Sequence, residues 1–245
     1  MSAAPSSPRK PLLIAAGVAL AAVTLGLVSW QATAPDTGDT GRSGAVSAVE
    51  PPTEAQTALM KLARRDAGDR LAVGRADAPV VLIEYSDFKC GYCAKFARDT
   101  EPELVRKFVQ DGTLRIEWRN FPIFGADSEA AAKAAWAAGR QDRFAQFHAA
   151  AYAEGAKEKG FGPDRLAELA REAGVPDLER FRQDMAGEEA AAALKRDQDE
   201  GYGIGVSSTP SFLINGKPIA GAQPLSVFRA AVIEARAAAG AAARP

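Results

Sequence analysis

The order of apolar and polar positions divides the chain into an uncharged apolar run near its start, a stretch without any period, and a long region of alternating strand and helix patterns. Residues 12–30 (LLIAAGVALAAVTLGLVSW) hold no charged side chain. About 20 apolar residues cross a bilayer as a helix, whereas a secretory core is nearer 7–15, so this run reads as a transmembrane signal-anchor. Residues 31–54 are rich in Gly, Pro, Ser, Thr and Ala and carry no apolar period, which reads as a flexible linker. Beyond it, residues 54–66 predict a short helix, and Pro79 to Tyr85 (PVVLIEY) predicts a strand buried on both faces.

From Gly91 onward Phe96, Leu104, Val105, Phe108 and Val109 recur at helical spacing as far as Asp111-Gly112, and Pro102 should kink or split that helix. Leu114, Ile116 and Trp118 then alternate with Arg115, Glu117 and Arg119, a strand with one apolar and one polar face. Strand, helix, strand makes a βαβ unit. Residues 126–205 interrupt it with helices expected at 128–138, 141–153, 163–173, 177–186 and 188–200, several stopped by Gly139, Gly155 and Gly174. Ser211 to Ile214 and Pro218 to Ala222 read as a hairpin turned by Asn215-Gly216, and a last helix is expected over 225–239.

Composition and charge narrow the setting. The formal net charge of -1 offers no basic field for nucleic acid, and 47% hydrophobic residues suffice for a core, so residues 55–240 fit one domain. Arg9 and Lys10 precede the apolar run and no basic residue follows it until Arg42. The positive-inside rule then leaves residues 1–11 in the cytoplasm and exports the rest, with Trp30 as an interfacial anchor. The alternative is a cleaved signal peptide with Ala32-Thr33-Ala34 as the small-residue site, which Pro35 directly after it makes awkward. Either way the domain reaches a compartment where disulfides persist, and a retained anchor would give it a linker reach of roughly 25 Å.

The chain has 2 cysteines, in Cys90-Gly91-Tyr92-Cys93 at the junction of strand and helix. As a structural staple this pair is weak, because closing about four residues removes only about 2 kcal/mol of unfolded-chain entropy. Zinc asks for about four Cys, His or carboxylate ligands, and there is no second cysteine pair and only one histidine, His148. A redox pair remains, which needs neither cofactor nor metal beyond its own disulfide. His148 shares a helical face with Phe144, Phe147 and Tyr152 and reads as a packed side chain. The run Lys195-Arg196-Asp197-Gln198-Asp199-Glu200 reads as a solvated helix face.

Four motifs in order carry a family resemblance: Glu84-Tyr85-Ser86-Asp87-Phe88, then Lys89-Cys90-Gly91-Tyr92-Cys93, then Gly139 to His148 (GRQDRFAQFH), then Gly205-Val206-Ser207-Ser208-Thr209-Pro210-Ser211-Phe212. Over Leu71 to Ala239 the chain resembles the DsbA-like branch of the thioredoxin superfamily. The resemblance implies an α/β thioredoxin fold with a helical domain inserted at about 126–205 and an exported thiol-disulfide oxidoreductase activity. It sets Cys90 at a helix N-terminus, where free N–H groups and the macrodipole favour a thiolate nucleophile, and makes Cys93 the resolving thiol. It makes Pro210 a cis-proline, although only about 5–6% of X-Pro bonds are cis in general, and puts Thr209 where it pairs with an extended substrate. Glu84 matches a buried acid that accepts the proton of Cys93, its alternative being an ordinary strand-edge carboxylate. Tyr92 either contacts substrate or only shapes the turn.

Implied partners are unfolded or reduced exported proteins and a membrane redox partner of the DsbB or vitamin K epoxide reductase type. Oxidase members often carry Pro-His between the cysteines, whereas Gly91-Tyr92 and Thr209 also occur in isomerase-like and reductase-like relatives. Disulfide formation is therefore the first expectation and a tethered reductase or isomerase the second. A binding module or chaperone for unfolded exported chains is the reading from outside enzymology.

Overall fold

The computed structural model describes residues 51–242, and the expected cytoplasmic, transmembrane and most linker segments lie outside the described residues. The chain enters through helix α1 (Glu54–Met60), capped by Thr53, whose side chain accepts from the Gln56 N–H at 3.1 Å. A two-residue strand β1 (Ala72–Val73), too short to leave an apolar pattern, runs antiparallel to β3 (Leu114–Asn120). Strand β2 (Val80–Ser86) pairs in parallel with β3 from Val80↔Leu114 to Ser86↔Asn120. Strands β4 (Ser211–Ile214) and β5 (Lys217–Ala220) complete a five-stranded sheet in the order β1-β3-β2-β4-β5, with β4 antiparallel to both neighbours. The β4–β5 turn is Asn215-Gly216, both at positive φ (43° and 76°), which is what a two-residue hairpin turn demands.

Between β2 and β3 the expected single helix is split. Helix α2 (Gly91–Asp99) ends at Thr100, and α3 (Glu101–Leu104) restarts with Pro102 in its first turn, where a missing N–H costs nothing. A π-helical turn (Val105–Val109) then leads to β3. Between β3 and β4 stand α4 (Ala126–Gly139), α5 (Phe144–Ala151), α6 (Pro163–Glu172), α7 (Leu178–Ala186) and α8 (Glu188–Gly203). Helix α9 (Leu225–Ala242) closes the described chain. Among the described residues no helix is long and apolar enough to cross a membrane.

The two faces of the sheet are covered differently. Val80, Leu82, Leu114, Ile116, Trp118, Phe212 and Ile214 face a core that takes in Cys93 and Phe96 of α2, Phe228 and Val232 of α9, and the inner sides of α4, α5 and α6. Val81, Ile83, Tyr85, Phe121 and Leu213 face the other way, against Leu59, Leu62 and Ala63.

The polar face of β3 is itself buried: Arg115, Glu117 and Arg119 are 3%, 0% and 0% exposed. One expectation is corrected, since the Lys195–Glu200 run is not one solvated face: Asp197 is buried. The reason is mutual satisfaction. Glu117 accepts from Arg115 (2.8 Å), Arg119 (2.9 Å) and the backbone N–H groups of Arg64 and Arg65, while Arg119 also donates to Glu200 (2.8 Å) and Arg64 to Asp197 (2.6 Å). Buried charges persist where they are paired and hydrogen-bonded in this way.

Candidate functional site

Strand β2 delivers the chain to the site, and Asp87-Phe88-Lys89 turn it into α2, whose N-cap is Cys90. Asp87 fixes that turn. Its carbonyl accepts from the Cys90 N–H (3.0 Å), one carboxylate oxygen accepts from the Lys89 N–H (2.8 Å) and Ser128 Oγ (2.7 Å), and the other from the N–H groups of Ile123 (2.7 Å) and Phe124 (3.2 Å). One side chain thus ties the cysteine loop to the segment leaving β3 and to α4. The sequence contained Asp87 within a motif without revealing this role, because the partners that tie the loop to the rest of the fold lie 36 or more positions away.

Both thiols are free in this structure, and they occupy different environments. Cys90 is 5% exposed and Cys93 0%. The Cys93 N–H donates to Cys90 Sγ at 3.4 Å, and the Cys90 thiol donates to the Thr209 carbonyl at 3.3 Å. Hydrogen bonding from the Cys93 thiol, reinforced by Thr209 and the backbone N–H groups of Cys93 and Tyr92, outweighs burial and brings Cys90 down to about 6 from 9.0. Burial first, then hydrogen bonding and charge from Cys90, push Cys93 well above 9.0. Such a split favours the Cys90 thiolate as nucleophile and the Cys93 thiol as its protonated neighbour.

Thr209-Pro210 is a cis peptide, which sets the Thr209 carbonyl against the cysteine although 119 residues separate the two in sequence. Tyr92, by contrast, is 69% exposed. Glu84 is 0% exposed on the central strand β2, between β3 and β4, so it is not at a strand edge. Burial raises it to about 8 from 4.5, against the pull of the Ser86 hydroxyl and the Trp118 indole beside it and with the Cys90 charge adding to the rise, while neither carboxylate oxygen completes a hydrogen bond of good geometry. Ser86 Oγ and Tyr152 Oη are 2.9 Å apart beside it, and Phe88 stacks on Tyr152 with ring centroids 4.8 Å apart.

His148 is packed as expected, with its ring among Phe88, Trp118, Phe144 and Tyr152. The helix carrying it nonetheless packs onto the cysteine loop through Phe88, which distance along the chain concealed. Among the described residues no group of three or more His, Cys, Asp or Glu side chains is placed to hold a metal ion.

The thioredoxin family model matches residues 66–234. The probable disulfide bond formation protein D of Bacillus cereus is 30% identical over 151 residues, covering 59% of this chain and 69% of that protein. The Na(+)/H(+) antiporter NhaA 3 of Salinispora tropica is 32% identical over 168 residues; the match takes in 68% of this chain but spans only 24% of the antiporter. The solved structure of the thiol-disulfide exchange protein alpha-DsbA2 from Wolbachia pipientis shares the fold at 22% identity with a TM-score of 0.59, covering 75% of this chain and 99% of that one. The family match, together with the cis-proline set against the first cysteine, gives one answer: the chain belongs to the thioredoxin family.

Proposed function

We propose that the chain is a thiol-disulfide oxidoreductase that forms disulfide bonds in exported proteins through the pair Cys90 and Cys93. The observation that carries this reading is the opposed pair of thiols: Cys90, at a helix N-cap, is lowered to about 6 while Cys93 is raised well above 9.0. A stabilised thiolate favours the reduced enzyme, so its disulfide is readily given away. In this reading a substrate thiolate attacks Cys90 Sγ, Cys93 leaves as a thiolate and takes a proton from Glu84, and the second substrate thiol then displaces Cys90. Thr209 and Pro210 line the place where an extended substrate segment pairs, and the exposed ring of Tyr92 meets it. Support also comes from the name of the Bacillus cereus relative and from the class of the Wolbachia protein.

The setting is part of the same proposal: residues 12–30 anchor the chain, the domain works outside the cytoplasm, and a membrane partner of the DsbB or vitamin K epoxide reductase type reoxidises it. A second reading, a tethered reductase or isomerase, is favoured by Gly91-Tyr92 between the cysteines and Thr209 before Pro210. Reduction potential separates them, with a value near about -120 mV favouring the donor and one near about -270 mV the reductase.

The experiment is the pair of serine variants in an assay that oxidises a reduced, unfolded protein. Cys90→Ser abolishes the reaction, and Cys93→Ser accumulates a mixed disulfide through Cys90. Full function retained by both variants would show a binding module rather than an enzyme.

A further inference from the structure

We propose that Glu101 and His148 form the outer limb of a proton relay that links Glu84 and Cys93 to the surface. The inference rests on Glu84 acting as the acid and base of Cys93.

The groups come from three elements, β2 with Glu84, the first residue of α3, Glu101, and α5 with His148, and Glu84 is near enough for its charge to act on Glu101. His148 Nε2 lies 3.8 Å from Glu101 Oε2. Neither atom has a hydrogen-bond partner, nor does either oxygen of Glu84. Buried polar groups are ordinarily satisfied, so a set of unpartnered titratable side chains behind a reactive thiol calls for a role beyond packing. Exposure rises outward, from 0% at Glu84 to side-chain values of 7% at His148 and 11% at Glu101. Glu84 itself has no direct way to exchange a proton with water.

Among the described residues no lysine or arginine pairs with Glu84 or Glu101. Arg98 of α2 donates to the Tyr152 carbonyl (2.8 Å), Glu103 of α3 is taken by Arg106 and Arg229, and Arg115 and Arg119 of β3 bind Glu117 on the opposite face of the sheet. The remaining titratable neighbours are Cys90, Cys93, Asp87, whose oxygens already accept from N–H groups and Ser128, and Tyr152, bound to Ser86. With no cation to lock a carboxylate in its charged form, each acid can load and unload. Burial, and next the Glu84 charge, hold Glu101 well above 4.5, while burial lowers His148 to about 3. Burial thus favours the uncharged form of both partners, the protonated carboxyl and the neutral imidazole.

The chemistry sets what the relay carries. When a substrate thiolate forms its bond to Cys90 Sγ, the Cys90–Cys93 bond breaks and the electron pair goes to Cys93. Glu84 gives its proton to that leaving sulfur, and Glu101 with His148 returns a proton from solvent to Glu84. On reoxidation the same proton travels outward as Cys93 attacks. No electrons pass along the relay, so it changes rates and not the equilibrium.

The test mixes the oxidised full-length protein with a reduced, unfolded test protein at pH 7 in weak buffer and follows the reaction by stopped flow. Glu101→Gln and His148→Gln are expected to slow it about tenfold, below the 10²–10⁴ typical of a directly acting acid or base. Added imidazole restores the rate, while the Cys90 thiolate titration and the reduction potential stay at wild-type values. Wild-type rates in both variants, alongside a slow Glu84→Gln, would overturn the relay and leave the role of Glu84 intact. A slowing that imidazole does not relieve, with a displaced Cys90 titration, would also overturn it by showing a structural effect. A Glu84→Gln protein at full rate would remove the relay together with its premise. Glu101→Gln, nearly isosteric, decides the matter if His148→Gln folds poorly.

Discussion

Glu84 is the residue at which sequence and structure say most about each other. Its place six positions before Cys90 and its likeness to a family acid could be read from the chain, but the absence of any partner for either oxygen could not. That absence has a cost that depends on pH. A carboxyl raised to about 8 in the fold and near 4.5 when unfolded contributes stability in full below pH 4.5, and loses it as pH rises toward 8. By pH 7 the loss is about 3 kcal/mol. Replacing Glu84 with Gln leaves a buried polar group but removes its titration. The stability of the variant relative to the wild type should therefore rise by about that amount between pH 4.5 and 7. Urea unfolding at the two values checks it, and a pH-independent difference would mean that Glu84 is not held protonated.

At the scale of elements, strands and helices were legible where one period dominated: the all-apolar β2, the helices stopped by glycine and the Asn215-Gly216 hairpin. The two faces of β3 were legible, but the burial of the polar one was not, because alternation describes side chains and not what later covers them; α8 and the segment after α1 arrive with Asp197, Glu200 and Arg64 to close an ionic network. Burial works against the Glu117 charge, but hydrogen bonds from Arg115, Arg119 and the backbone hold its carboxyl at about 2. This stabilisation is present above pH 4.5 and is lost as pH falls through about 2. Glu117→Gln leaves buried arginine charge short of its partner and should cost about 3–5 kcal/mol at pH 7, with less acid sensitivity than the wild type. The joint of α8 is as tight as its charges are dense. A Cβ on Gly201 would stand 2.6 Å from Phe121 Cε2, so Gly201→Ala should destabilise the fold by about 1–3 kcal/mol, read from the unfolding midpoint.

For the whole molecule, the two cysteines connect folding to redox state. Which thiol would be the nucleophile followed from the family resemblance, but the degree of asymmetry depends on the Cys93 thiol and on contacts from across the chain such as the Thr209 side chain. In the reduced protein Cys90 falls from 9.0 to about 6 on folding, so its thiolate adds stability that is fully present above pH 9 and lost as pH falls through about 6. Cys93 moves the other way, and its contribution is constant below pH 9, so it does not tilt this window. The oxidised protein has neither titration. The reduced chain should therefore gain stability relative to the oxidised one between pH 6 and 9, by at most about 1.4 kcal/mol per pH unit and about 4 kcal/mol in all. Glu84 trims the gain, because the Cys90 charge opposes its ionisation. Urea titrations of both forms at pH 5.5 and 8 measure the gap directly. A shift in favour of the reduced form toward pH 8 is the folding counterpart of a disulfide that is easily given away; a difference that stays level would mean that the fold does not favour the Cys90 thiolate.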